Sequence, residues 1–229
     1  MSARRDRVVC AIHQPNFFPW LGYFDKIRRA DVFVFLDEVQ HTKTGASWTN
    51  RVSIRMGDVP LAITCPIKRP SGTQKISDVR IEDTKPWRKK FKKTLKQSYG
   101  KNIHFSAVIE VLEPLIDYKT KNIADYNVNA IMAISEVLDV SAVFLRQSDL
   151  AVEGKGTELL AAIVTKVGAT EYLAGGGSQD YQEDSVFADQ NINVSYQNFR
   201  PRPYGIGTSF IPGLSVIDFL MLEGVGKKT

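Results

Sequence analysis

Residues able to donate, accept or carry protons gather at the ends of short apolar runs in this sequence. RVVCAIH (7–13) closes on His13, Gln14 and Asn16, and VFVFL (32–36) closes on Asp37, Glu38 and Gln40. AVFLR (142–146) stops at Gln147 and Ser148, while Glu171–Ala174 runs into GGGSQDY, with Gly176, Ser178 and Tyr181. Histidine is the natural general base near neutral pH, and a carboxylate at the end of the next strand can orient and polarise it. His13 and Asp37 are therefore the leading acid–base pair, and Asn16 is a candidate donor to a developing oxyanion. The plainer alternatives are a histidine bonded to backbone at a strand end and an aspartate capping a loop. Gly175, Gly176 and Gly177 permit positive φ and close backbone approach, so their N–H groups could cradle a phosphate. No Lys-Ser/Thr follows them, so this is not a P-loop, and nothing around Ser178 resembles a nucleophile elbow.

Two further groups carry charge. Trp48, Asn50 and Arg51 open a β-like run just after a small polar loop, where Arg51 suits bidentate clamping of a carboxylate or phosphate. An ordinary strand-edge arginine reads the same way. Segment 85–101, KPWRKKFKKTLKQSYGK, holds eight Lys/Arg and no acid, including Arg88, Lys89, Lys92, Lys93 and Lys96. The whole chain is +5, so its basic character is one local patch that invites a polyanion. A solvated helix face, with Trp87, Phe91 and Leu95 packed inward, is the alternative.

These residues need elements to position them. Residues 7–13 read as a buried strand, Trp20–Arg29 as a helix with Leu21, Phe24 and Ile27 on one face, and 32–36 as a second strand. Strand, helix and strand in about 30 residues make a βαβ unit, which requires a parallel pair. Runs 48–55, 59–67 and 75–81 read as an antiparallel insertion. Trp87, Phe91, Leu95 and Tyr99 recur every four residues as one helix, followed by helices over 104–118 and 121–138. The α/β rhythm returns with a strand at 142–146, a helix at 155–167, strands at 171–174 and 192–198, and a helix at 213–223. The expected fold class is α/β: a mostly parallel, Rossmann-like sheet in a single domain over 1–229, with a β-rich insertion (48–82) and a helical segment (85–138). In such sheets ligands bind beyond the carboxyl ends of the strands, which is where the polar clusters fall.

Composition narrows the classes. No apolar run approaches the roughly 18–20 residues that span a bilayer, and no secretory h-region with a cleavage site follows the basic start, so a cytoplasmic location is expected. Cys10 and Cys65 lie in separate apolar runs without metal-ligand spacing, so buried free thiols, no structural metal and no cofactor are expected. In nucleotidyltransferase-type folds an H-x-G-H motif opens the helix after the first strand. Trp20-Leu21-Gly22-Tyr23 stands there instead, which argues against adenylyl transfer by that route.

The strings HQPNFFPWLGYFDKI, ADVFVFLDEVQ, WTNRVSI, YLAGGGSQDYQ and FIPGLSVIDFLMLEG, in that order from about residue 9 to 224, resemble the WbqC-like protein family. That resemblance implies bacterial O-antigen or other surface-polysaccharide synthesis, with glycine or a related acyl group transferred to an amino sugar. It carries motif positions onto His13, Gln14, Pro15, Asn16, Trp20, Gly22, Tyr23, Asp37, Gln40, Asn50 and Arg51. Two departures stand out: a small polar stretch, HTKTGAS, before the W-x-N-R element, and Gln179 where the family often has a lysine.

Together these readings give a transferase whose partners are a nucleotide-linked amino sugar and, as an activated acyl source, an aminoacyl-tRNA held by the basic helix. Catalysis would fall to His13, Asp37 and Asn16. Substrate binding would fall to Gln14, Trp20, Tyr23, Gln40, Asn50, Arg51, Gly176, Ser178 and Tyr181. The alternatives are a glycosyl- or nucleotidyl-type transferase using a sugar nucleotide, for which Asp37-Glu38 is the nearest metal-binding pair, and a non-catalytic polyanion (RNA) binding protein. A homodimer is compatible with either.

Overall fold

The computed structural model describes residues 7–42, 47–68, 72–178, 182–205, 207 and 209–226. Five strands form one wholly parallel sheet: β1 (Val9–His13), β2 (Val32–Phe35), β5 (Val143–Arg146), β6 (Glu171–Ala174) and β7 (Asn193–Tyr196). Their spatial order is β5-β2-β1-β6-β7. Numbered along the chain within this sheet, that is 3-2-1-4-5, the Rossmann-type order whose direction reverses between the first and fourth strands. Parallel neighbours need crossovers, and the helices α1 (Leu21–Arg28) and α6 (Gly156–Lys166) supply two of them, as the periodicity predicts. The central strand β1 is buried along VCAI and half-buried only at His13.

The insertion keeps its antiparallel character in β3 (Arg51–Met56) and β4 (Val59–Thr64), paired from Arg51–Thr64 to Met56–Val59. The third run, 75–81, is not a strand. Ile76–Asp78 form a 3-10 turn, and Lys75, Arg80 and Ile81 make only isolated bridges. Val79 and Ile81 still bury their side chains, so the alternation that reads as a strand reports burial rather than a ladder. The basic helix α2 (Trp87–Tyr99) and helices α3 (Phe105–Ile116) and α4 (Ile123–Val137) follow close to the expected bounds. Two short helices escape the periodicity, α5 (Gln147–Leu150) and α7 (Asp184–Ala188), each too brief to show a period. The last helix, α8 (Val216–Glu223), is capped by Ser215, whose hydroxyl accepts from the Ile217 N–H.

The chain divides into two compact units. One comprises residues up to Gln14, Phe24–Glu38 and Val140–Arg200, and contains the parallel sheet. The other comprises Pro15–Tyr23, Val39–Asp139 and the chain from Pro201, and contains β3, β4 and the helices α2, α3, α4 and α8. The second unit is built on an aromatic cluster in which Phe17, Phe18, Trp87, Phe91 and Tyr126 meet at ring separations of 5.0–6.4 Å. No helix among the described residues is long and apolar enough to cross a membrane.

Candidate functional site

At the reversal of the parallel sheet, β1 and β6 pair only as far as Ala11–Leu173, while β1 and β2 continue to His13–Phe35. The His13 carbonyl accepts from the Leu36 N–H on the β2 side. Successive carbonyls of a strand point to opposite neighbours, so the Ile12 carbonyl faces the β6 side, beyond the last paired residue. There it accepts a hydrogen bond of 2.8 Å from the ammonium of Lys26, on α1. Lys26 is 3% exposed, and none of the described carboxylates pairs with it. Its ammonium lies 5.9 Å from the centroid of the Tyr172 ring. Burial lowers the Lys26 pKa to about 8. A buried cation with no counter-ion among the described residues is costly, and at the carboxyl end of a parallel strand it marks a functional-site candidate.

His13 stands next to this cation. Its Nδ1 lies 3.0 Å from the Gln14 carbonyl, which can only accept, so Nδ1 carries the proton and Nε2 is the unprotonated nitrogen. Burial, and then the charge of Lys26, lower the His13 pKa to about 4. The imidazole is therefore neutral at pH 7. Nearby Cys10 is held as a neutral thiol, its pKa pushed up to about 12 by burial. Both cysteines are free and buried, as their apolar settings predict.

Asp37 does not take the orienting role expected of it. It is 1% exposed, and its carboxylate oxygens accept from the Ser148 N–H (3.0 Å) and the Ser148 hydroxyl (2.9 Å). These bonds tie the end of β2 to the start of α5, and Gln147 adds another by accepting from the Glu38 N–H at 3.2 Å. Burial raises the Asp37 pKa against the pull of its Ser148 bonds. The Gln14 carbonyl, 3.0 Å from Nδ1, holds the His13 ring instead.

The glycine segment also differs from expectation. None of Gly175, Gly176 and Gly177 has positive φ; Gly176–Ser178 form a 3-10 turn. A Cβ on Gly176 would lie 2.7 Å from the Gln197 carbonyl oxygen, so glycine is required there by backbone packing. Gln197 in turn donates to Asp25 at 2.6 Å, fixing the chain after β7 against α1. Tyr181 lies outside the described residues.

The remaining candidates belong to the second unit. Asn16 is buried, with its Oδ1 lacking a hydrogen-bond partner among the described residues. Tyr23 is sealed in the core, which leaves it no surface for a substrate. Trp20 is half-buried, and its ring fills the space that a Cβ on Gly22 would need, 2.4 Å away. Gln40 is exposed and bridges Lys75. Asn50 donates to the Cys65 carbonyl at 3.0 Å and so closes the β3–β4 ladder, while Arg51 is exposed. The basic helix splits in two. Arg88 bonds Asp83 and the carbonyls of Ile116 and Tyr118 and stacks on Trp87, and Lys92 pairs with Asp117 at 2.7 Å. Acids from outside the segment thus oppose two of its charges, whereas Lys89, Lys93 and Lys96 remain exposed.

Sequence reasoning overlooked Lys26. The signal was present: Tyr23, Lys26, Ile27 and Ala30 follow i, i+3, i+4 and i+7 spacing, which sets the lysine among buried positions of α1.

The family model for WbqC-like proteins matches residues 14–229. An uncharacterized protein of Mycobacterium tuberculosis, Rv1507c, is 31% identical over 219 residues, covering 93% of each chain. No solved structure matches the chain.

Proposed function

The chain belongs to the WbqC-like protein family, and from that premise we propose that it is a transferase of bacterial surface-polysaccharide synthesis. It moves a glycyl or related acyl group onto the amine of a nucleotide-linked amino sugar. The observation that carries this reading is the buried ammonium of Lys26, with no carboxylate paired to it among the described residues, beside neutral His13 at the point where β1 parts from β6. A diphosphate brings negative charge to this ammonium, and the switch point of a Rossmann-type sheet is where such groups bind.

The chemistry follows from the tautomer of His13. The amine nitrogen attacks the acyl carbon and the C–N bond forms. As it does so, the nitrogen becomes acidic and one proton passes to His13 Nε2. Collapse of the tetrahedral species breaks the bond between the acyl carbon and its carrier oxygen, and the same proton leaves with that oxygen as an alcohol. A base of pKa about 4 does not deprotonate a free ammonium, so the amine must arrive neutral. An ester-linked glycine, as on an aminoacyl-tRNA, meets these requirements. Metal-dependent transfer at Asp37-Glu38 would first have to displace both Ser148 bonds.

The test is a thermal-shift screen against nucleotide-linked sugars with and without a free amine, run on the natural protein and on Lys26→Met. Ligand that binds the folded state raises the melting temperature by mass action. A shift confined to amino-sugar nucleotides and lost in Lys26→Met supports the reading. An equal shift in both proteins, or none in either, removes it.

A further inference from the structure

Among the described residues, strand β4 forms its ladder with β3 alone, so its other edge is open. Antiparallel pairs alternate between those that exchange both backbone hydrogen bonds and those that exchange none. The Cys65 N–H donates to the Asn50 carbonyl at 2.8 Å, so by register Val52–Ile63, Ile54–Leu61 and Met56–Val59 are the bonded pairs. β3 shows the same alternation. The Ser53 carbonyl accepts from the Ser215 N–H and the Arg55 N–H donates to the Tyr99 hydroxyl, both away from β4. On β4 the outward backbone groups therefore belong to Pro60, Ala62 and Thr64. All three residues are exposed, and the N–H groups of Ala62 and Thr64 have no partner among the described residues.

Further along the same edge the chain supplies its own partner. The Glu82 N–H donates to the Pro66 carbonyl and the Lys68 N–H to the Arg80 carbonyl, each at 2.8 Å, around an antiparallel bridge of Ile67 with Ile81. Beyond Glu82 the chain turns off into α2, with the Trp87 indole N–H donating to Asp83 at 2.9 Å. The stretch from Thr64 back to Pro60 is left open.

Helix α2 flanks that stretch. Ala62, Ile63 and Thr64 line a pocket of about 150 Å³ together with Trp87, Lys90 and Phe91, which share one face of α2. A cavity of that size takes a benzene-sized group. Ile63, Trp87 and Phe91 give it an apolar, buried floor. Lys90 lines it from an exposed position, and Lys93, three residues on, is exposed as well. No acid among the described residues pairs with either lysine.

We propose that the open edge of β4 docks an extended acidic peptide segment of a partner protein. The segment adds as a strand in line with Arg80–Glu82 and takes its main-chain bonds from Ala62 and Thr64. Alternate side chains of a strand face one way, so an apolar residue fills the pocket and a carboxylate two positions along meets Lys90 or Lys93. A second copy of this chain fits less well. Two such edges paired antiparallel about a twofold axis set both α2 helices on one face, with like lysines toward the junction, and Pro60 leaves that ladder a donor short.

Fluorescence polarisation on the full-length protein tests this. The probe is a labelled ten-residue peptide of alternating Val and Thr, with Leu in place of a central Val and Asp in place of the next. A second probe carries Lys instead of Asp, and a third carries N-methyl groups along its backbone. Only the Asp probe is expected to bind, more weakly as salt rises. Ala62→Pro removes an outward N–H without touching the β3 ladder, as Pro60 already does. It is expected to keep the melting temperature and to weaken binding at least roughly fivefold, the worth of one hydrogen bond. Thr64→Pro is the second variant for the same reading. Lys90→Glu is expected to turn the preference toward the Lys probe. Failure of the Asp probe to bind overturns the proposal, as does binding that N-methylation and both proline variants leave unchanged. A dimer in analytical ultracentrifugation that Ala62→Pro dissolves assigns the edge to a second copy instead. None of these outcomes depends on acyl transfer.

Discussion

The ammonium of Lys26 meets the carbonyl of Ile12 at 2.8 Å where β1 loses its pairing with β6. This contact places a positive charge at the reversal of the sheet and beside the imidazole of His13. It also satisfies a strand carbonyl that the ladder no longer reaches.

Replacing Lys26 by methionine removes a charge whose burial is costly and one hydrogen bond of about 1 kcal/mol. We expect chemical denaturation at pH 7 to show a stability change within about 1 kcal/mol, while binding of diphosphate-containing ligands falls at least roughly tenfold. Histidine signals followed by NMR should show the His13 pKa rising in this variant, because one of its two depressing influences is gone.

His13→Ala is expected to lower kcat by roughly 10²–10⁴-fold, the usual worth of a positioned base. The folded-state pKa of His13 is lowered, to about 4, so the base form persists well below pH 6.5. A rate limb due to this group therefore falls only as pH approaches 4. Stability follows the same sign: between pH 6.5 and 4 the unfolded chain takes up a proton that the folded one refuses, so stability is lost as pH falls through that window. Acid titration of His13→Gln should show a shallower loss.

Asp37 should behave as a strut. Asp37→Asn keeps an acceptor for the Ser148 N–H and a donor toward its hydroxyl, and is expected to cost less than about 1 kcal/mol. Asp37→Ala removes both bonds to Ser148, an exposed residue that water can then serve, and should cost about 1–3 kcal/mol by urea denaturation. A drop in kcat for Asp37→Asn as large as that for His13→Ala would return Asp37 to the reaction.

Gly176→Ala forces a methyl group to within 2.7 Å of the Gln197 carbonyl oxygen. The backbone must shift, and a loss of about 1–3 kcal/mol is expected from the melting curve, with weaker ligand response at the adjoining strand ends.

Asp218, wholly buried in the second unit, accepts from Arg55 Nε at 3.2 Å and from the hydroxyls of Tyr99 (2.7 Å) and Tyr204 (3.0 Å). Tyr204 is thereby a tie to α8. Removing one partner of a buried ion pair strands the other, so Arg55→Met should cost about 3–5 kcal/mol by denaturation, with Tyr204→Phe nearer 1.

What the sequence determined by itself was the set of elements whose period or length is unambiguous. Short apolar runs closed by polar residues are the strands of a parallel sheet, and the four-residue recurrence of Trp87, Phe91, Leu95 and Tyr99 is one helix with a buried seam. It also determined that His13 and Asp37 end neighbouring strands, because parallel strands end on one rim. Only the tertiary structure decided what each side chain does there. A carboxylate takes whichever donor folding brings nearest, and for Asp37 that is Ser148, 111 residues away in sequence. The same holds for the lysines of α2, where Asp117 reaches Lys92 and leaves Lys93 to solvent. Lys26 shows the limit most clearly. Periodicity sets it on a buried face, but the absence of a paired carboxylate among the described residues, which gives it significance, depends on every neighbouring element at once.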